Sequence, residues 1–367
     1  MKWSREQDDA LKAARRWLRG RRESQVFRLF GYAGTGKTTL ARHLAEDIDG
    51  EVLFGAFTGK AAHVLRQKGC EGAQTIHSLI YRPAKGDEDD PGDEGPQFTI
   101  RRDAPASEAA LIIIDECSMV DEDLGRDLLS FGVPVLVLGD PAQLPPVKGG
   151  GYFTEASPDI MLTEVHRQAA DNPIIQLSMQ IRDGDLPGEG DYGAARILSK
   201  RDLDPEAVTT ADQILVGLNR TRARYNQRLR EIHGFDGDEP WVGERLVCLR
   251  NNKQKGLLNG GMWTVKARHG RKRGKLRLDL TPEDGGRSAR VQILPDFFSG
   301  NPADIPWPKR RNSDEFDFGY ALTVHKAQGS QWDDVVLFDE SYAFREDRLK
   351  WLYTGVTRAA ERLTIVR

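Results

Sequence analysis

The sequence predicts an α/β protein built on parallel sheets with helices on both faces, with a small antiparallel β insertion late in the chain. Three observations predict it. Apolar, β-branched runs alternate with segments of helical periodicity, first before residue 140 and again after residue 160. A Gly-rich turn joins the first such run to the helix that follows it. Between about Glu244 and Ser313 the pattern changes to short β segments punctuated by turn residues, as in a small barrel.

The elements follow in order. In residues 4–19, Ala10, Leu11, Ala14, Trp17 and Leu18 share one helical face. "VFRLFG" reads as a buried strand and "KTTLARHLAEDI" as a helix; "EVLFGAFT" and "KAAHVLRQKG" repeat the pair. "ALIIIDE" and "PVLVLGD" are further strands, each ending in an acidic residue. Residues 82–107, rich in Pro, Gly and acidic side chains, leave the pattern as a loop or small hairpin. Gly149–Gly151 reads as a hinge, and a second α/β pattern opens at "IMLTEVHRQ". These breaks divide the chain into a first domain (1–160), a second (161–243 and 314–367) and the inserted barrel (244–313).

Composition sets outer bounds. The chain has 367 residues, enough for two or three domains, with 39% hydrophobic and 30% charged residues. Its apolar runs fall short of the roughly 18 residues of a membrane span. The N-terminus is charged and amphipathic, without a signal-peptide core, so a cytoplasmic protein is expected. Cys70, Cys117 and Cys248 are too few and scattered for a disulfide framework or a zinc site. A net charge of −3 excludes a protein that coats nucleic acid, though not one with a narrow basic channel.

The most specific local signal is "GYAGTGKT", which fits Gly-x-x-x-x-Gly-Lys-[Ser/Thr] between a strand and a helix. Gly31, Gly34, Thr35 and Gly36 free backbone N–H groups to close around a β-phosphate, helped by the helix N-terminus. Lys37 reaches the β- and γ-phosphates, Thr38 ligates Mg²⁺, and Thr39 lies on the same first turn. Asp115, at the end of "LIIIDE", holds Mg²⁺ with Thr38; Glu116 polarises the attacking water. Gln143, in "GDPAQLPPV", is placed to touch both γ-phosphate and water.

The motifs "GYAGTGKTT", "FTGKAA", "TIHSLI", "IIIDECSMVD", "GDPAQLPPV", "HRQ", "TVHKAQGSQWDDVV" and "YTGVTRA" occur in this order. Together they resemble the motifs of superfamily-one DNA helicases, the RecD-like branch in particular. The resemblance implies two RecA-like P-loop NTPase domains with ATP and Mg²⁺ in the cleft between them. It implies that Arg167 and Arg358 meet the γ-phosphate from the second domain, and that Gln7 reads the adenine edge. Thr58, Lys60, Thr75, His77, Thr323 and His325 match residues that line single-stranded DNA. Thr75 reads equally as a helix N-cap and His77 as a packed core residue. Phe98, the one aromatic in the 82–107 insertion, matches a duplex-splitting wedge or else anchors the hairpin. "RHGRKRGKLR" is a DNA contact or a charged hairpin tip. The family places Glu where this chain has Gln331, which puts nucleotide preference in doubt. The implied protein is a monomeric helicase moving 5′→3′, with single-stranded DNA, single-strand/duplex junctions and replication or recombination proteins as partners. A translocase subunit and an ATP-gated switch are the competing readings.

Overall fold

The computed structural model describes residues 3–20, 24–83, 98–146, 151–165, 171–299 and 304–367. Helix α1 (Arg5–Arg19) starts at a capping box. Ser4 Oγ accepts from Gln7 N at 3.3 Å, and Gln7 Oε1 accepts from Ser4 N at 3.0 Å. The expected face forms: Ala10, Leu11 and Ala14 are buried in a core shared with β1 (Val26–Gly31) and α2 (Lys37–Glu46). The chain continues through β2 (Val52–Ala56), α3 (Gly59–Gln67), β3 (Gln74–Thr75) and α4 (Ile76–Ile80). A short antiparallel pair follows, β4 (Tyr81–Pro83) with β5 (Phe98–Ile100). Then come β6 (Leu111–Asp115), α5 (Glu122–Leu129), β7 (Val135–Gly139) and β8 (Ile160–Leu162).

These strands make one parallel sheet in the order β3-β2-β6-β7-β1-β8. Leu111–Ile114 of β6 are at most 1% exposed. Burying each such side chain contributes about 1.5–3 kcal/mol, which explains the unbroken apolar run in a strand covered on both faces. Because β6, β7 and β1 are neighbours, their carboxyl ends set Asp115, Gly139 and Gly31 side by side.

A second sheet, β17-β11-β18-β19-β10-β9, is parallel except for its edge pair β10–β9. It uses β9 (Gly190–Asp191), β10 (Ala195–Leu198), β11 (Gln213–Val216), β17 (Ala321–Thr323), β18 (Trp332–Phe338) and β19 (Ala359–Val366). Helices α6 (Pro173–Arg182), α7 (Asn219–Ile232) and α8 (Arg348–Val356) accompany it. The insertion is a five-stranded antiparallel sheet, β15-β14-β13-β12-β16. Its strands are β12 (Arg245–Cys248), β13 (Met262–Lys272), β14 (Lys275–Pro282), β15 (Ala289–Ile293) and β16 (Phe316–Phe318). Among the described residues its two ends meet at a single bridge, Ile293 to Asp314. "RHGRKRGKLR" forms the β13–β14 hairpin; Arg273 (φ 51°) and Gly274 (φ 76°) make its turn, both left-handed as a tight hairpin requires.

Three boundaries differ from the sequence reading. Ile160–Leu162 does not open the second lobe: it pairs with Leu29–Gly31 as the edge of the first sheet. Gly151 is buried against Thr154 and Ser118, so the crossing between lobes comes after Leu162. Phe316–Phe318 pairs with β12, so the insertion runs past Ser313. Only part of 82–107 leaves the first lobe, since Ala104 and Ala106 return to its core.

α7 ties the insertion to the second lobe. Arg230 donates from Nε and Nη2 to the Glu244 carboxylate at 2.6 and 3.1 Å, and its guanidinium lies 4.0 Å from the Phe318 ring centroid. Arg222 pairs with Asp317. All four charges are buried; each Arg230 guanidinium nitrogen is hydrogen-bonded, whereas Arg222 Nε has no partner among the described residues. Among the described residues no helix is long and apolar enough to cross a membrane.

Candidate functional site

The phosphate loop begins where β1 ends. A Cβ at Gly31 would come 2.7 Å from Thr35 Oγ1 and 2.8 Å from Leu162 Cβ, so no side chain fits there. Gly34 (φ 79°) and Gly36 (φ 81°) are left-handed, which turns the backbone N–H groups toward one cradle at the α2 N-terminus. Lys37 Nζ donates to Gly31 O at 2.6 Å and Tyr32 O at 3.0 Å, at the mouth of that cradle. Thr35 and Gln7 hold it from behind. Thr35 Oγ1 donates to Tyr32 O at 2.8 Å, and the buried Gln7 donates from Nε2 to Thr35 O at 3.1 Å. Gln7 therefore braces the loop. Thr39 is half-buried on the first turn of α2.

Thr38 and Asp115 meet as expected, Oγ1 donating to Oδ2 at 3.0 Å. A hydroxyl beside a carboxylate suits Mg²⁺, a hard cation that keeps several waters and takes oxygens from phosphates. Among the described residues no cluster of three or more His, Cys, Asp or Glu is placed to hold a metal by protein ligands alone. Glu116 sits at φ 53°, a left-handed conformation uncommon for a side-chain-bearing residue, and its N–H donates to Asp115 Oδ1 at 2.9 Å. Burial pushes the Glu116 carboxyl above its ordinary range. Asp115 and Asp140 push the same way, while Arg358 and Lys37 oppose them. Cys117 is a buried thiol with its pKa raised by burial, not a nucleophile.

Arg358 is the largest opposing charge on Glu116 and comes from the second lobe. It is 6% exposed and fixed by Thr354 O (3.0 Å), Ser330 O (3.2 Å) and Thr357 Oγ1 (3.1 Å). Arg167 lies outside the described residues. The segment just before it is anchored by Glu6, whose carboxylate accepts from Thr163 N, Thr163 Oγ1 and Glu164 N at 2.6–2.8 Å. Gln143 is buried, and among the described residues its Oε1 accepts no hydrogen bond. An unpaired buried acceptor is costly, and a bound water or phosphate hydroxyl would relieve it.

The residues expected on DNA lie at the starts of α3 and α4 and in the turn after β17. Thr58 Oγ1 caps α3 by accepting from Ala61 N at 3.1 Å, and Thr75 Oγ1 caps α4 by accepting from Ser78 N at 3.3 Å. β2 and β3 pair at Ala56 and Thr75, which sets these two caps at neighbouring strand ends. Thr323 Oγ1 accepts from Lys326 N at 3.3 Å in the turn after β17. That turn reaches α3 across the lobes: a Cβ at Gly329 would come 2.9 Å from Ala61 Cβ. Lys60 is ion-paired with Asp284 of the insertion. His77 lies between Phe57 and Tyr81, and His325 lies beside Phe344; burial lowers both imidazole pKa values. Phe98 belongs to β5, opposite Pro83, and its side chain is outside the described residues. Gln331 borders a cleft of about 480 Å³ with Asp212, Arg245, Glu283 and Trp332, which no phosphate-loop residue lines.

Two functional groups escaped the sequence reading. Tyr353 OH donates to Asp140 Oδ2 at 2.7 Å and accepts from Ala33 N at 3.1 Å, joining the lobes at the phosphate loop. The Arg182 guanidinium of α6 stacks 3.9 Å above the Tyr32 ring. Tyr353 stands within "YTGVTRA", but a tyrosine in an apolar helix gives no sign that its hydroxyl is spoken for.

Residues 3–201 match the family model of the AAA domain, and residues 318–366 match that of the UvrD-like helicase C-terminal domain. The chain is 32% identical over 364 residues to the ATP-dependent RecD2 DNA helicase of Deinococcus radiodurans. That alignment covers 91% of this chain and 46% of the relative, so the chain spans about half of that protein's length. Two solved structures share the fold at 19% identity, each covering all of this chain and 92% of its own. One is of Pif1 helicases at forked double-stranded DNA, with a TM-score of 0.62. The other is Bacteroides Pif1 bound to single-stranded DNA, with a TM-score of 0.60.

Proposed function

The chain belongs to the AAA-domain family, in the RecD-like branch of superfamily one, and from that premise we propose that it is an ATP-driven helicase moving along single-stranded DNA. One observation carries the proposal. A phosphate cradle, the Thr38–Asp115 pair and Glu116 lie in one lobe, and the other lobe reaches that cradle through Tyr353, which bonds Ala33 N and Asp140 and shares a motif with Arg358. A nucleotide there is clasped from both sides, so its hydrolysis alters how the lobes hold each other.

The chain's own groups divide the work. The loop N–H groups and Lys37 bind the phosphates; Thr38 and Asp115 hold the cation. Magnesium held by those two oxygens would supply positive charge to neutralise the nucleotide's phosphates. Glu116, whose charged form Arg358 and Lys37 favour against its burial, takes the proton of the attacking water, and Gln143 orients that water. Arg358, with Arg167, offsets charge developing on the transferred phosphoryl group; such arginines contribute roughly 10³–10⁵ in rate in other NTPases.

Thr58, Lys60, Thr75, His77, Thr323 and His325 line the strand's path, touching phosphates without reading bases. The β4–β5 hairpin that carries Phe98 meets the junction. Movement is 5′→3′, by a monomer in the cytoplasm.

Unwinding of duplexes with a 5′ or a 3′ single-stranded tail tests this. ATP-dependent strand separation is expected on the 5′-tailed substrate, with single-stranded DNA raising ATP turnover manyfold and Lys37→Ala abolishing both. Turnover indifferent to DNA at low salt overturns the motor. ATPase stimulation without unwinding leaves a translocase that needs a partner.

A further inference from the structure

Tyr353 is 1% exposed and lies on α8, five residues before Arg358. A buried phenol needs partners for its hydroxyl, and both partners here belong to the other lobe. Their chemistry fixes the direction of each bond. The Ala33 amide can only donate and the Asp140 carboxylate can only accept, so the hydroxyl takes from one and gives to the other. Burial and the Asp140 charge hold the phenol protonated.

The bonds around it show what this hydroxyl controls. Asp140 Oδ1 also accepts from Ala142 N at 3.0 Å, and Gln143 N donates to Asp140 O at 3.1 Å. At the far end of this short loop both backbone groups of Leu144 are held by the second lobe. Leu144 N donates to Thr354 Oγ1 at 2.9 Å, and Leu144 O accepts from Gln328 Nε2 at 2.9 Å. Gln143, whose Oε1 is unpaired among the described residues, lies between two points gripped from across the cleft. Ala33, gripped by the same hydroxyl, is part of the phosphate loop. Any separation of the lobes must release these bonds or drag Gln143 and the loop with them.

We propose that Tyr353 is the positioning residue through which the second lobe sets Gln143 and the phosphate loop, so that ATP turnover responds to closure of the lobes. The inference rests on the motor reading above, because closure on DNA is what Tyr353 would report. It assigns to "YTGVTRA" a second duty beyond its arginine.

The test is Tyr353→Phe, which keeps the buried ring and removes only the hydroxyl. Steady-state ATPase is measured with and without single-stranded DNA, and thermal unfolding is followed alongside. The expected result is a fall of about tenfold in DNA-stimulated kcat, the scale of losing a hydrogen bond to a charged group. KM for ATP and the DNA concentration for half-stimulation should stay within about twofold, a split that general destabilisation would not produce. A DNA-stimulated kcat within twofold of the unsubstituted protein overturns the inference. If Tyr353→Phe does not fold, Thr354→Val decides: it frees Leu144 N from the same grip, and unchanged stimulation there is equally fatal. An unsubstituted protein whose ATPase ignores DNA would instead bring down the motor reading itself.

Discussion

Threonine does opposite work at two places along the carboxyl ends of the first sheet's strands. In the phosphate pocket the Thr38 hydroxyl gives its proton to Asp115, which leaves its lone pairs for a ligand. At the starts of α3 and α4, Thr58 and Thr75 spend a lone pair on capping a helix, accepting from Ala61 N and Ser78 N. The first hydroxyl keeps its acceptor side for a ligand. The other two help to build the fold whether or not a ligand comes, and any DNA contact is a second occupation. The difference teaches that one residue type in two motifs answers to two selections: pocket chemistry in one, local backbone satisfaction in the other.

The largest expected break in this comparison is on the pocket side. Glu116→Gln should lower ATP turnover by roughly 10²–10⁴, the usual worth of a positioned general base, without moving the unfolding midpoint. Full turnover in that variant would remove Glu116 from the chemistry. On the capping side, Thr75→Ala should cost about 1 kcal/mol of stability, seen as earlier urea unfolding, while DNA-free ATPase is unchanged. A Thr75→Ala protein of normal stability but weakened DNA affinity would reverse the comparison at that position.

The smallest expected effect lies beside the Thr58 cap, at Lys60. Its ammonium is paired with Asp284, so a DNA phosphate must compete with that carboxylate. Asp284→Asn should tighten binding of single-stranded DNA by roughly twofold to fivefold at low salt, in keeping with the modest worth of a partly exposed pair. Titration of a labelled oligonucleotide reads this directly, and weaker binding would show that Lys60 does not face the strand.

The parts of this molecule legible from sequence are those in which backbone and chemistry demand the same residue. Gly31 admits no Cβ, Gly34 and Gly36 require left-handed dihedrals, and Lys37 and Thr38 follow at once. Few other residue types would serve, Ser for Thr38 among them, so the pattern points to a single site. The lobe boundary was illegible for a different reason. Periodicity marks Ile160–Leu162 as a strand but does not say which sheet it joins, and it returns to β1 after a long excursion. Phe316–Phe318 is parted from β17 by two residues only, and nothing local assigns the two strands to different sheets. Tyr353 was hidden for want of proximity: its partners lie 213 and 320 residues away along the chain. Gln7 was expected at the adenine edge; here it caps α1 with Ser4 and donates to the Thr35 carbonyl.

One helix grips the inserted sheet twice, through Arg230 at Glu244, where the chain enters it, and through Arg222 at Asp317, just before the chain leaves. A module pinned at one crossing would pivot; pinned at both, it is towed. Any movement of the second lobe therefore carries the basic tip at Arg273–Gly274 along with it, and the place of that tip is set by α7.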